Sequence, residues 1–168
     1  MTSSGGFMTM ALRQFGRLPE SMRHAIVGFS SPAHRVGTVA LITSGEEFLL
    51  CRHSYCEGWS LPGGMIGWNE TPEDCVRREV REEVDLEVKI SAAPDVQSTH
   101  KPRRILFAFQ VELDGCEASD ASAVSAEIEE AKWFRFDDPP ELLWWADEIK
   151  EWFEQVREER IAEAATLS

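Results

Sequence analysis

Apolar and polar positions change texture several times along the chain, and each change marks an element. Met22, Ala25, Ile26 and Phe29 recur at i, i+3, i+4 and i+7 after Pro19, which predicts a short amphipathic helix. From Arg35 the pattern turns β-branched. Residues 36–43 (VGTVALIT) end at Ser44-Gly45 and residues 47–55 (EFLLCRHSY) return, so the two predict a hairpin. A polar turn over 56–60 leads into Leu61-Pro62-Gly63-Gly64. Thr71-Pro72-Glu73-Asp74 is a helix start: Thr71 suits the N-cap, Pro72 the first helical position, and Asp74 completes a capping box. That helix runs to about Val84. Residues 104–113 (RILFAFQVEL) predict a strand with positions 105, 107, 109 and 111 on one face, followed by a Gly/Ser/Ala/Asp-rich loop over 114–125. Residues 129–136 (EEAKWFRF) predict one more strand, stopped by Pro139-Pro140. Past Glu141, the residues Trp145, Ile149, Trp152, Phe153 and Val156 keep helical spacing, so the chain ends in an amphipathic helix. Strands, an internal helix and a terminal helix around one core describe an α/β or α+β layered domain.

Length adds a bound. A chain of 168 residues is one domain's worth, and the only composition shift lies near Pro32. Residues 1–34 are read as an N-terminal extension, its first dozen residues mobile and its remainder holding the short helix; residues 35–168 form the domain. Charge excludes more. Lys and Arg number 17 against 30 Asp and Glu, a net −13. Holding nucleic acid mainly through phosphates needs a basic face, so no stable nucleic-acid partner is expected. An anionic substrate then needs a cation as mediator. Cys51, Cys56, Cys75 and Cys116 lack zinc spacing, and the opening MTSSGGFMTMAL lacks a basic leader. The longest uncharged apolar run, 36–45, is too short to span a bilayer. The expectation is a reduced, cytoplasmic protein with no membrane partner.

The internal helix carries the chemistry. At about 100° per residue, with Glu79 at zero, Glu82 falls near −60° and Glu83 near +40°. Val76, Val80 and Val84 occupy the adjoining stripe at roughly 60° to 140°, which faces the core. Arg77 and Arg81 point to solvent, whereas Arg78 borders Glu82 and can brace it. Like charges at these spacings repel by roughly 0.2–0.5 kcal/mol per pair. A solvated acidic face is the ordinary explanation of such a cluster. A hard divalent cation, most simply Mg²⁺, resolves the repulsion, and the Gly63-Gly64 loop can bring a backbone carbonyl close as a further ligand.

Gly64, five residues, Glu70, seven residues, then Arg78-Glu79-Val80-Arg81-Glu82-Glu83-Val84-Asp85-Leu86 resembles the signature box of the Nudix hydrolases, matching eight of its nine specified positions. Background residue frequencies put such a match at odds on the order of one in a million. Trp59-Ser-Leu-Pro-Gly-Gly64, Glu127-Ile128 and Trp133-Phe134 also look like the family's usual neighbours. The departure is Asp85, where the family has glycine in a left-handed helix exit. Asp takes that conformation less freely than Gly, so a small stability cost and an unchanged site are expected.

The resemblance implies a Nudix-like α/β/α sandwich with a mixed β-sheet and a C-terminal helix. It implies hydrolysis of a pyrophosphate bond, with Mg²⁺ or Mn²⁺, in a nucleoside diphosphate linked to another group or in a nucleoside triphosphate. Carried over by position, Gly64, Glu79, Glu82 and Glu83 are the metal ligands, Arg78 orients the glutamates, and Glu70 ties loop to helix. Glu79 or Glu83 is the base, or a loop outside the box supplies it, with Glu127 the first candidate. Arg35, Arg52, Arg103 and Arg104 are candidates to grip phosphate, although each has an ordinary reading as a surface charge. Trp59 and Trp68 flank the glycine loop and are candidates to stack a base; Trp133, Trp145 and Trp152 suit packing. His53 and His100 are read as surface or loop residues and Cys75 as a small packing residue. The subfamily marks of diadenosine-polyphosphate, NADH and ADP-ribose enzymes are not found after the box, which weakens those readings. A small nucleotide is the expected partner, a homodimer is left open, and two alternatives stand: a non-catalytic nucleotide sensor and an RNA 5′-end pyrophosphohydrolase.

Overall fold

The structure, a computed structural model, describes residues 14–30, 33–143 and 147–167. The tail expected to be mobile and Trp145 lie outside these residues. Two compact units divide the chain, Met1–Ala33 and His34–Ser168. The first holds α1 (Glu20–Ser30), the helix expected after Pro19, on which Met22 and Ile26 are exposed.

The second unit is built on one mixed sheet: β1 (Arg35–Ser44), β2 (Glu47–His53), β3 (Trp59–Ser60), β4 (Val88–Ile90), β5 (Asp95–His100), β6 (Arg103–Leu113) and β7 (Ile128–Arg135). β1 runs parallel to β6, with Arg35 opposite Arg104 and Thr43 opposite Glu112. β4 and β5 lie antiparallel to β6, and β7 lies antiparallel to β2. One face carries α2 (Pro72–Val84), whose Val76, Val80 and Val84 pack with Ala40, Ile42, Leu49, Phe109 and Val111. The other carries α3 (Asp147–Leu167), whose Ile149, Phe153 and Val156 pack with Val39, Leu41, Phe48, Leu50, Leu106 and Ala108. This is the expected α/β/α sandwich with a mixed sheet and a C-terminal helix. Because both faces are covered, the central strands are apolar without alternation, as 39–42 and 48–51 show. The face expected for 104–113 is the one towards α2, where Phe109 and Val111 are buried and Phe107 packs; the other face is apolar too, with Leu106 and Ala108 buried towards α3.

The hairpin between β1 and β2 forms as expected, but the strands pair only beside the turn, at Thr43–Phe48 and Ser44–Glu47. Beyond that they part. The segment from Trp59 to Ile66 enters the gap, pairing with β2 through Cys51–Ser60 and Arg52–Trp59. It pairs with β1 through Ala40 N to the Pro62 carbonyl, Thr38 N to the Gly64 carbonyl, and Ile66 N to the Val36 carbonyl. A split sheet thus holds the two glycines in its fork, beside α2. Among the described residues no helix is long and apolar enough to cross a membrane.

Candidate active site

The site begins with how α2 is started and stopped. Thr71 caps it by accepting from the Asp74 amide at 3.1 Å. Its hydroxyl donates to the Asp74 carboxylate at 2.7 Å, so Asp74 takes part in the cap through the side chain of Thr71. At the far end Asp85 is left-handed, φ 56°, and its amide donates to the Arg81 carbonyl at 3.1 Å. Asp85 therefore makes the exit that the family's glycine makes, and the helix carrying Glu79, Glu82 and Glu83 is continuous to Val84.

Arg78 is the hub of the acidic face. Its Nε and Nη2 hold the two Glu70 oxygens at 2.7 and 3.0 Å, and its Nη1 holds Glu79 and Glu82, each at 2.9 Å. Nη2 also donates to the Met65 carbonyl at 3.3 Å. The Gly67 amide adds a 2.7 Å bond to Glu70. The Arg78 contact first and the Gly67 amide next hold the Glu70 carboxyl down to about 2, and its hydrogen bonds push the Arg78 pKa further up. Glu70 thus ties the 64–70 loop to α2, as the resemblance implied.

The glycine fork receives the other carboxylates. Glu83 is 6% exposed and accepts from the Gly63 amide at 3.0 Å. Burial, and then the charges of Glu79, Glu127 and Glu82, push its pKa up to about 8 against the pull of that amide. Burial likewise raises Glu79. A Cβ on Gly64 would overlap the Glu79 carboxylate at Oε1 and Cδ, and come within 2.7 Å of Oε2. A Cβ on Gly63, at φ +151°, would run into the Thr38 carbonyl and come within 2.8 Å of Val39 Cα. Both glycines are therefore required by close approach.

The opposite wall is delivered from far along the chain. The loop after β6 folds over the C-terminus of α2, where the Ser122 and Val124 amides donate to the Val84 and Glu83 carbonyls at 3.1 and 3.2 Å. These bonds satisfy carbonyls that a helix end leaves open. The loop then presents Ser125, Ala126 and Glu127, pinned by the Ser54 amide donating to the Glu127 carbonyl at 2.8 Å. The result is a cavity of about 700 Å³. Gly64, Arg78, Glu79, Glu82, Glu83 and Glu127 line it, and so do Arg35 and Arg104.

Four of the candidates do not line it. Arg52 is paired with Glu130 at 2.9 Å, and its guanidinium lies 5.8 Å from the Trp59 ring. Trp59 packs edge-on against Phe134, centroids 4.8 Å apart. Trp68 is fully exposed, and Arg103 is exposed on β6. His53 is corrected: it is buried, with Nε2 2.9 Å from Ser60 Oγ, and burial lowers its pKa. Cys75 is buried as a packing residue, accepting from the Thr38 hydroxyl at 3.4 Å. Among the lining residues that were not selected from the sequence are two large exposed side chains, Tyr55 and Met65. Each adjoins a glycine- or turn-rich stretch, a weak signal, and only the strand pairing brings them to the acidic helix.

Among the described residues no three Asp, Glu, His or Cys side chains close a metal cage on their own. Instead, hard carboxylate oxygens share one cavity with mutual repulsion, and burial plus like charge raises Glu83. The Gly64 carbonyl accepts from the Thr38 amide and keeps a second lone pair. That set fits Mg²⁺, which binds through one or two carboxylates and takes the remainder of its shell from water and substrate phosphate.

Comparison with known proteins agrees. The model of the NUDIX domain matches residues 33–156. The NAD-capped RNA hydrolase NudC of Pseudomonas syringae pv. syringae is 35% identical over 106 residues, covering 62% of this chain and 37% of that protein. The protein of the same name from Chromobacterium violaceum is 34% identical over 137 residues, covering 80% of this chain and 49% of that one. The chain therefore spans less than half the length of these relatives. A crystal structure of an ADP-ribose pyrophosphatase from Streptococcus suis is 29% identical and superposes with a TM-score of 0.56, covering 66% of this chain and 80% of that one.

Proposed function

Since the chain belongs to the Nudix family, we propose that its cavity hydrolyses a pyrophosphate bond in a small nucleotide, a nucleoside triphosphate or a nucleoside diphosphate linked to another group. The observation that carries this reading is the gathering of Glu79, Glu82 and Glu83 at the glycine fork, in a cavity that Arg35 and Arg104 also line. Glu79, Glu82 and Glu83, with the Gly64 carbonyl, would hold Mg²⁺ or Mn²⁺. Bound there, the ion would neutralise pyrophosphate oxygens and acidify the attacking water. Arg78 keeps Glu79 and Glu82 aimed while Glu70 keeps Arg78 in place. The Gly63 amide orients Glu83. Glu127, facing the acidic helix from the 125–127 loop, takes the proton of the attacking water, a role for which Glu79 is the competing candidate. Arg35 and Arg104, which line the same cavity, hold phosphate oxygens.

The names of the relatives favour a second reading, in which the nucleotide is the capped 5′ end of an RNA. The net charge of −13 opposes it, whereas the acid-free stretch from Val96 to Val111, which includes Arg103 and Arg104, supports it. One experiment addresses both: a panel of nucleoside triphosphates, ADP-ribose, NAD and NAD-capped oligonucleotide, with Mg²⁺ or Mn²⁺ and identified products. The expected outcome is cleavage of free nucleotides into phosphate monoesters or into a monophosphate and pyrophosphate. Cleavage of the capped oligonucleotide alone selects the second reading. Nucleotide binding with no turnover on any member would leave only the sensor alternative.

A further inference from the structure

We propose that Tyr55 is the residue on which this site stacks the base of its nucleotide. The inference rests on reading the cavity as the substrate site.

Tyr55 follows β2 and lines the cavity with Glu127, Glu83 and the two arginines. It lies in the turn after the strand and is 61% exposed, which leaves most of the ring open to a ligand. One side is backed: its ring lies 5.1 Å from that of His53, at 39°. His53 is itself 4% exposed and fixed to Ser60, so the backing is rigid. The ring does not hold the loop together, because the backbone of Ser54 does that, through the Glu127 carbonyl at 2.8 Å and, from its hydroxyl, the Ala126 carbonyl at 3.4 Å. A rigid, backed, largely exposed aromatic side chain beside a phosphate-handling cavity is what a base-stacking platform requires. Apolar Leu106 and half-exposed Met65 line the same cavity and offer the base a dry neighbourhood. Burial and the nearby Glu127 charge raise the phenol's pKa, away from ionisation. Neither Trp59, packed on Phe134, nor Trp68, outside the lining, offers an aromatic surface to this cavity.

The test separates base from phosphate and sugar. Titrations of the full chain in Mg²⁺ compare the four ribonucleoside 5′-monophosphates with ribose 5-phosphate, none of which has a pyrophosphate bond to cleave, by calorimetry. The expected result is that at least one monophosphate binds wild type about 10-fold more tightly than ribose 5-phosphate, a preference that Y55A removes and Y55F and Y55W keep. Ribose 5-phosphate binding stays equal in all four proteins. A preference for the base that survives in Y55A overturns the proposal, as does the lack of any preference in wild type. Equal loss of both ligands in Y55A also overturns it, since that marks a structural role. No turnover enters this test, so a chain that stacks bases on Tyr55 yet hydrolyses nothing would overturn the hydrolase reading and leave this one standing.

Discussion

At Gly64 the difference between hydrogen and methyl decides where the Glu79 carboxylate can lie. A Cβ there would overlap the Glu79 carboxylate at Oε1, the same oxygen that Arg78 holds at 2.9 Å. Glu79 would have to swing out of the cavity. G64A is therefore expected to lower kcat by about 100-fold, the cost of misplacing a catalytic group by about 1 Å, while the thermal midpoint changes little. Steady-state kinetics beside a melting curve check this. A G64A protein with wild-type kcat would mean that Glu79 does not act from its position in this structure. The glutamates were legible from spacing, because helical periodicity alone puts positions 79, 82 and 83 on one arc. Tyr55 was not, since its place depends on the pairing of β2 with β7, about eighty residues on in sequence.

Among elements, the contact that matters most joins the 64–70 loop to α2. It passes through Glu70, gripped by both Nε and Nη2 of Arg78 and by the Gly67 amide. The Glu70 carboxyl is held down to about 2, below the roughly 4.3 of an unfolded glutamate. A depressed carboxyl stabilises the fold above its unfolded value and loses that contribution as pH falls through the folded one. Wild type should thus exceed E70Q in stability at pH 6, with the gap closing between about pH 4.3 and pH 2. Urea unfolding at a series of pH values reads it, and a pH-independent gap would show that ionised Glu70 is not what ties the loop. The caps of α2 were legible in Thr71, Pro72 and Asp85. β4 and β5 were not. β4 has three residues, and β5 (DVQSTH) is a polar edge strand whose conformation comes from its pairing with β6. The two-sided burial of β6 escaped for another reason: which faces are covered depends on where α3 docks, a long-range fact.

For the whole molecule, a split sheet, one short helix and a returning loop converge on a single cavity, while the second helix closes the opposite face of the sheet. The strong negative charge is consistent with that design only if a cation stands between the protein's carboxylates and an anionic substrate. Hydrolysis of the best substrate in the panel, followed for wild type and E83Q with Mg²⁺ and with EDTA, tests this most directly. Glutamine keeps the oxygen that accepts from the Gly63 amide, and removes the charge and the second acceptor oxygen. The account predicts that EDTA abolishes turnover, that Mg²⁺ restores it, and that E83Q lowers kcat by about 100-fold or more. Turnover that persists both in EDTA and in E83Q would contradict it.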